Sequence, residues 1–388
     1  MPAKPRLKTH RGLRRPHFER IALVLQGGGA LGSYQGGVYQ ALAEAGIEPD
    51  WITGISIGAI NSAIIAGNPP GKRVEKLREF WETVSQAPAI FPNLPWLRLD
   101  DDFTHKLMNQ WRAAGILLRG APGFFTPRLP PPYLVPAGNP EQVSFYDVAP
   151  LRDTLLRLVD FNLINAGEMR FAVGAVNVRT GNFTYFDNAT YEIGPEHIMA
   201  SGSLPPGFPP TRIDGEYYWD GGLVSNTPLQ YMLDSRPRLD TIAFQVDLWA
   251  SQGEVPRDLA GADVRQKEIR FSSRTRAGTD RFRQAQRLRR HAHRLLEQLP
   301  PALKQTPEAQ ALAAEADEKN YNIVEIIYHA QSYEGSAKDY EFSRRTMEEH
   351  WSAGYHDAVR TLRHEDIFRP PEDDSGVRTF DVGFDGGD

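Results

Sequence analysis

Apolar runs and helical patterns alternate in the N-terminal part of the chain. Residues 21–26 and 51–55 are short and largely apolar, which is typical of buried strands in a parallel sheet. Residues 33–45 and 58–66 repeat apolar positions at helical spacing, and Gly46 is a natural stop for the first of these helices. The order strand, helix, strand, helix predicts an α/β fold in which helices cover a mostly parallel sheet.

The same patterns continue towards the C-terminus. They predict helices at 74–84, 101–118, 147–159 and 336–362, and strands at 170–178, 183–187, 240–247 and 322–328. The last of these strands indicates that the C-terminal third completes the same sheet. We therefore expect a basic flexible tail (1–20), an α/β domain (21–250), a largely helical extension (251–365) and a second flexible tail (366–388).

Composition narrows the classes of protein to which the chain can belong. With 388 residues, of which 40% are hydrophobic, the chain can bury a substantial core, and this argues against global disorder. No apolar stretch reaches the roughly 18 residues of a membrane span. The apolar run after the basic N-terminus is too short for a secretory signal. There is no cysteine, which excludes disulfides and cysteine–metal sites. We expect a cytoplasmic protein.

Charge is distributed unevenly along the sequence. Residues 1–20 hold seven Lys/Arg and one acid, residues 262–299 hold eleven Lys/Arg and four acids, and the whole chain carries a net charge of −5. These two basic segments predict either peripheral contact with an anionic membrane or a charged helix face that packs on the acidic body. No recognition motif supports binding to nucleic acid.

Gly27, Gly28 and Gly29 stand between the first strand and the first helix. Glycines at this position permit a sharp turn and leave N–H groups exposed at a helix N-terminus, where negative charge is stabilised. The negative group that binds there is either a phosphate or a transient oxyanion. The phosphate is one of the two alternatives because the loop also fits a dinucleotide fingerprint. Glu48 and Asp50 are near the expected ribose-binding acid, but they precede the second strand instead of ending it.

Ser56 stands where that acid would be expected. The sequence Gly54-Ile55-Ser56-Ile57-Gly58 follows a predicted strand and opens a predicted helix, which is the context of a nucleophile elbow. Neighbouring parallel strands end at one edge of a sheet, so the triglycine loop is expected beside this serine. A nucleophilic oxygen next to free N–H groups is the arrangement that acyl transfer requires.

Together with a distal Asp220-Gly221-Gly222, these motifs resemble the patatin-like phospholipase family. Residues 197–210 resemble the Ala-Ser…Pro…Phe-Pro-Pro segment that precedes the family's aspartate, and Asn226 and Pro228 match residues that follow it. The resemblance covers 21 to about 248. The C-terminal region resembles an extension of some bacterial members.

The resemblance implies a three-layer fold and a Ser–Asp dyad without histidine. It assigns Ser56 as the nucleophile and Asp220 as its base, and it assigns the N–H groups of Gly28, Gly29 and Ala30 to the oxyanion hole. It also implies an acyl-lipid substrate with no cofactor and no metal. Leu31 departs from the family, whose members often carry Arg or Lys at this position.

Three points remain open in the sequence. The chain is either this hydrolase, a nucleotide-binding oxidoreductase, or a lipid-binding protein that has lost its chemistry. Residues 121–140, with seven prolines, are either a lid, a wall of an acyl pocket or a surface excursion. Three late histidines, His350, His356 and His364, are interpreted as surface residues, and His197 precedes Asp220 in the wrong order for an α/β-hydrolase triad.

Overall fold

A computed structural model describes residues 7–86, 115–134, 136, 138–272, 275–330, 334–335 and 337–382. Most of the helix predicted at 101–118 lies outside these residues, although 115–119 are helical. The other predicted strands and helices are present, with ends shifted by a few residues.

One mixed sheet runs through the described part of the chain. Its strands are β1 (Arg20–Leu25), β2 (Trp51–Gly54), β5 (Arg170–Asn177), β6 (Phe183–Asp187), β7 (Thr211–Ile213), β8 (Glu216–Asp220), β9 (Thr241–Asp247), β10 (Tyr321–Ile327) and β11 (Val377–Asp381), while β3 (Thr126–Pro127) and β4 (Tyr146–Asp147) form a separate pair. The order is β11-β10-β9-β1-β2-β5-β8-β7, and β6 pairs with β5. Strands β11 to β5 are parallel, whereas β6, β7 and β8 are antiparallel to their neighbours. The predicted mostly parallel sheet is confirmed.

Helices cover both faces of this sheet. They are α1 (Ser33–Ala45), α2 (Ile57–Ala66), α3 (Pro70–Val84), α4 (Ala149–Leu158), α5 (Phe161–Asn165), α6 (Pro195–Ser201), α7 (Leu229–Asp234), α8 (Leu259–Phe271), α9 (Thr275–Gln298), α10 (Pro301–Lys304), α11 (Pro307–Glu315) and α12 (Arg344–Leu362). The predicted last helix starts later than its pattern indicated, because Ser343 caps it by accepting a hydrogen bond from the N–H of Thr346.

The two faces of β1 explain why residues 21–25 are continuously apolar. Ile21, Leu23 and Leu25 belong to a large core shared with α1, α2, α3, α4 and α12. Ala22 and Val24 belong to a smaller core on the other face, with α7 and α9. A strand buried on both sides has no polar positions to alternate with apolar ones. The result is a three-layer α/β architecture.

The C-terminal extension belongs to the same folded unit. β10 pairs in parallel with β9 over its whole length. α12 lies against α1 at a separation that only glycine permits. A Cβ atom at Gly37 would lie 1.9 Å from the carbonyl oxygen of Trp351, and one at Gly354 would lie 2.0 Å from that of Tyr34. The first helix therefore depends on the extension for its packing.

Both terminal segments differ from the expected flexible tails. Within 7–19, the N–H of Leu7 donates to the carbonyl oxygen of Arg363, and the Nε of Arg363 donates to the carbonyl oxygen of Leu7. Phe18 is buried. Within 366–388, β11 pairs with β10. Its five residues are too few to give a recognisable strand pattern among the flanking Pro, Asp and Gly residues. They form a strand because they pair with a neighbouring strand.

The basic stretch forms α8 and α9, and one face of α9 packs on the protein. The ring of Phe282 meets Tyr321 edge-on, with ring centroids 4.9 Å apart. The guanidinium of Arg290 donates to the side chain of Asn320 at 2.9 Å. These contacts lie at the N-terminal end of β10. The glycine loop and Ser56 follow the C-terminal ends of β1 and β2, at the opposite end of the parallel strands.

The proline-rich segment starts in the core and ends on the surface. Phe124 and Phe125 are buried against Phe208, with centroid distances of 5.8 and 5.3 Å, and Phe124 also packs on Phe342 at 5.6 Å. Tyr133, near the tip, is exposed. Among the described residues of the segment, the buried ones are Ala121, Phe124 and Phe125.

Candidate active site

Ser56 lies at the sharp turn between β2 and α2. Its φ of +55° is in the left-handed region that a residue with a side chain rarely adopts. A Cβ atom at Gly54 would lie 2.2 Å from the carbonyl oxygen of Gly58, and one at Gly58 would lie 2.3 Å from that of Leu25. Both flanking glycines are therefore required by the turn that exposes the serine.

The triglycine loop lies beside this serine. β1 and β2 are hydrogen-bonded neighbours that end at the same edge of the sheet. A Cβ atom at Gly27 would lie 3.1 Å from the Cβ of Ser56. Gly29 has a φ of +58° and begins a 3₁₀ turn that leads into α1. The two motifs that the sequence separates by one helix thus meet in the fold.

Asp220 ends β8 and is almost completely buried, with 2% of its surface exposed. Its carboxylate accepts a hydrogen bond from the N–H of Gly222 at 2.7 Å and lies near the hydroxyl of Ser56. Burial raises the pKa of Asp220 to about 7, although the hydroxyl of Ser56 and the N–H of Gly222 act to lower it. A carboxylate with this pKa can accept a proton near neutral pH.

The end of α6 connects the two members of this pair. The N–H of Ser56 donates to both the carbonyl oxygen and the Oγ of Ser201, at 3.1 and 3.0 Å. The carbonyl oxygen of Ser203 accepts the N–H of Asp220 at 3.0 Å. Sequence analysis gave these two serines no role. Their only signal was their place in the segment 197–210.

The carbonyl oxygen of Gly27 is held by two side chains. Asn226 donates to it through Nδ2 at 3.0 Å, and Trp249 donates through Nε1 at 3.0 Å. Asn226 was noted for its match to the family, whereas Trp249 carried no sequence signal. These contacts tie the start of the triglycine loop to the segments that follow β8 and β9.

Among the expected oxyanion-hole residues, Ala30 differs from the two glycines. The N–H of Ala30 donates to the carbonyl oxygen of Asp339 at 2.8 Å, so it is already satisfied. Within the described residues, the N–H groups of Gly28 and Gly29 have no hydrogen-bond partner. The sequence could not reveal this difference, because Asp339 lies in the distant C-terminal extension. Leu31, the position that departs from the family, is fully buried in the core.

His197 has neighbours other than Ser56 and Asp220. His197 is buried beside Phe186, and its Nδ1 accepts the N–H of Gly194 at 2.9 Å. Its pKa is lowered, mainly by burial. His350 and His364 are buried, contrary to the surface position expected for them, whereas His356 is exposed. His350 meets the ring of Tyr328 edge-on, with ring centroids 5.1 Å apart, a contact that the helical pattern of α12 could not show.

The two acids considered for ribose binding have other partners. Glu48 pairs with Arg73 and hydrogen-bonds Tyr39, and Asp50 pairs with Arg15. Both stand before β2, at the opposite edge from the triglycine loop. In the described part of the chain, no group of three or more His, Cys, Asp or Glu side chains is arranged to hold a metal ion. None of the described helices is long and apolar enough to cross a membrane.

Comparison with known protein families gives two matches along the chain. The family model described as patatin-like phospholipase matches residues 23–233, which include Ser56 and Asp220. A second model, described as patatin phospholipase, matches residues 269–374, which lie in the C-terminal extension.

Curated relatives align over short stretches only. Lysophospholipase nte1 of Aspergillus terreus is 54% identical over 57 residues, which are 15% of this chain and 4% of that protein. Patatin-like phospholipase domain-containing protein 7 is 59% identical in Rattus norvegicus and 56% identical in Mus musculus, each over 46 residues, 12% of this chain and 3% of that protein. The chain thus spans a small part of these relatives.

A solved structure was also matched. The crystal structure of VipD from Legionella pneumophila superimposes with a TM-score of 0.39 and 15% sequence identity, covering 92% of this chain and 71% of that one.

Proposed function

Because the chain belongs to the patatin-like phospholipase family, we propose that it is a serine lipid acyl hydrolase. Its substrates would be carboxylic esters of phospholipids or other acyl lipids. The observation that carries the proposal is the pair formed by Ser56 and Asp220. A serine in a strained turn lies beside a buried carboxylate whose pKa is raised to about 7.

In the first half-reaction, the Oγ of Ser56 attacks the ester carbonyl and its proton passes to Asp220. The N–H groups of Gly28 and Gly29 stabilise the oxyanion that develops on the carbonyl oxygen. The tetrahedral intermediate then collapses, and protonated Asp220 supplies the proton to the departing alcohol. An acyl group remains on Ser56.

In the second half-reaction, Asp220 accepts a proton from water as the water attacks the acyl-Ser56 carbonyl. The same N–H groups bind the second oxyanion. Collapse releases the fatty acid, and the proton returns to the Oγ of Ser56. One aspartate therefore serves as base and then as acid in each half-reaction, which a pKa near neutrality favours.

The proposal is tested with a fluorophosphonate probe and a series of p-nitrophenyl esters of increasing acyl length. Wild-type protein is expected to be labelled and to turn over esters. Ser56→Ala is expected to lose both activities, and Asp220→Asn is expected to lose turnover. Full activity in Ser56→Ala would reject Ser56 as nucleophile, and unlabelled, inactive wild type would reject the hydrolase.

No contact in the site favours the nucleotide-binding alternative. The carbonyl oxygen of Asp339 lies against Gly29, since a Cβ there would lie 2.1 Å from this oxygen, and a pyrophosphate that approached this glycine from that side would meet another hydrogen-bond acceptor. Detectable NAD binding without esterase activity would restore that alternative. Lipid binding without turnover of any ester would instead favour a non-catalytic lipid-binding protein.

Peripheral contact with an anionic membrane through 262–299 and the N-terminal segment remains a proposal. The outer face of α9 presents Arg281 and Arg287 together with Leu288 and Leu295, whose exposed fractions are 69% and 55%. Exposed arginines beside exposed leucines suit a lipid surface. The arginine-rich part of α9 reaches the sheet edge opposite Ser56. Such contact would tether the protein without pressing the catalytic edge onto the bilayer.

A further inference from the structure

The C-terminal extension contacts the triglycine loop from its outer side. The carbonyl oxygen of Asp339 accepts the N–H of Ala30 at 2.8 Å and lies directly against Gly29. Any side chain at Gly29 would collide with this oxygen. The segment around Asp339 therefore forms the outer boundary of the loop that carries the candidate oxyanion donors.

Two crossed ion pairs hold this segment to α8. The Nζ of Lys267 lies 3.1 and 3.3 Å from the carboxylate oxygens of Asp339. The next residue, Glu268, pairs with Lys338 at 2.9 Å, and the Lys338 side chain is only 4% exposed. Consecutive residues of α8 thus bind consecutive residues of the extension. Shielding from solvent makes such pairs stronger and more geometrically defined than exposed ones.

The same helix also reaches the start of the loop. The carbonyl oxygen of Phe271, at the end of α8, accepts the Nδ2 of Asn226 at 2.7 Å, and the same Nδ2 donates to the carbonyl oxygen of Gly27. The ring of Phe271 packs against Trp249, whose Nε1 also donates to Gly27. Gly27 and Ala30 are therefore both fixed through α8, and Gly28 and Gly29 lie between these two fixed points.

We propose that Lys267 and Asp339 are positioning residues that hold the N–H groups of Gly28 and Gly29 in place for the oxyanion. This inference rests on the proposed hydrolase function and identifies what completes its site. A glycine-rich loop is intrinsically free in conformation. Donors that stabilise a transition state must be oriented before the reaction begins. Asp339 lies outside the 23–233 family match, so the extension supplies a part that the catalytic region lacks.

The test compares two ligands of the same acyl length, a trifluoromethyl ketone and its methyl ketone. The first adds the Oγ of Ser56 to its carbonyl carbon and leaves a negative oxygen in the oxyanion hole, with the serine proton on Asp220. The second binds without this addition. In Lys267→Met, affinity for the trifluoromethyl ketone and kcat are expected to fall by about 10- to 100-fold, the effect of a small misplacement. The methyl ketone affinity and KM are expected to stay within about twofold.

Matched variants separate positioning from general destabilisation. Lys267→Arg keeps the positive charge beside Asp339 and is expected to recover most of the lost affinity. Lys72→Met removes an exposed lysine that pairs with Glu75 at 2.8 Å, far from the site, and is expected to change neither ligand. The double variant with Asp339→Asn is expected to lose no more than the more impaired single variant, because both residues act through one contact.

The outcomes are distinguishable. Equal losses for both ketones in Lys267→Met, or none for either, would overturn the positioning role while leaving the hydrolase intact. A wild-type protein that forms no Ser56-dependent adduct with the trifluoromethyl ketone would overturn the proposed function itself, and this inference with it.

Discussion

The hydroxyl of Ser56 lies near the carboxylate of Asp220, which is almost completely excluded from solvent. An exposed aspartate would be ionised at neutral pH and would be a weak base. Burial disfavours the charged form and moves the pKa of Asp220 to about 7. In the proposed mechanism, the pair therefore needs no histidine to transfer a proton near neutrality.

The pH dependence of hydrolysis follows from this pKa. Only the ionised Asp220 can accept the proton of Ser56, so kcat/KM is expected to rise with pH and to level off above a midpoint of about 7. The measurement uses a non-ionising ester between about pH 5 and 9. A rise centred near the ordinary aspartate value, about 4, would show that Asp220 is not the base.

Asp220→Asn is expected to stabilise the fold at neutral pH. The pKa of Asp220 is higher in the folded protein than in the unfolded chain, so the folded state binds more protons and loses stability as pH rises from about 4 to about 7. By linkage, an amide that needs no ionisation removes a penalty of up to about 4 kcal/mol above pH 7. Urea unfolding at about pH 8 is expected to show the gain, which should vanish near pH 4.

The control for this prediction is a second buried aspartate, one that does have a positively charged partner. Asp187 pairs with Arg170 at 2.8 Å and accepts the hydroxyl of Tyr231 at 2.7 Å. Asp187→Asn leaves Arg170 without its counter-charge and is expected to destabilise the protein by about 3 kcal/mol or more. Stabilisation in both variants, or in neither, would contradict the assignment of a desolvation penalty to Asp220.

Gly58→Ala is expected to disrupt the turn that presents Ser56. Its new Cβ would lie 2.3 Å from the carbonyl oxygen of Leu25, so β1 and α2 must separate. We expect a loss of about 1–3 kcal/mol in unfolding free energy, together with loss of labelling by a fluorophosphonate. Gly71→Ala is the matched control, since Gly71 is also near a helix start but has open space around it. It is expected to keep full labelling.

Vesicle binding tests the outer face of α9. Reversing Arg281 and Arg287 to glutamate is expected to weaken co-sedimentation with anionic vesicles and to leave hydrolysis of a soluble ester unchanged. The control reverses two other exposed arginines, Arg152 and Arg212, which produces the same change in net charge. Equal binding by both double variants and wild type would remove the proposed membrane contact.

Much of the fold could be predicted because its signals are local. The apolar strand at β1, the helical spacing of α1 and the stop at Gly46 each depend on neighbouring residues. The parallel order of β1 and β2 follows from the helix between them. The position of Ser56 beside the glycine loop then follows from the common edge of these strands, and the structure has it there.

Features that depend on distant partners were not predicted. β11 was missed because its five residues show no strand pattern by themselves and form a strand only by pairing with β10. His350 was misjudged because its helix looks polar, whereas the burial of its side chain depends on what packs against that helix. No short stretch of the sequence indicates the pairing of β11 or the burial of His350.

The sequence by itself determined that β1 and β2 end side by side and predicted the roles of Ser56 and Asp220, because short motifs with strict steric needs carry both. Only the tertiary structure decided which N–H groups remain unpaired. Ala30 and Gly29 look equivalent in the sequence, yet Ala30 is bonded to Asp339 and Gly29 is not. A hydrogen bond between residues so far apart arises only when the packed extension brings its carbonyl oxygen to the loop.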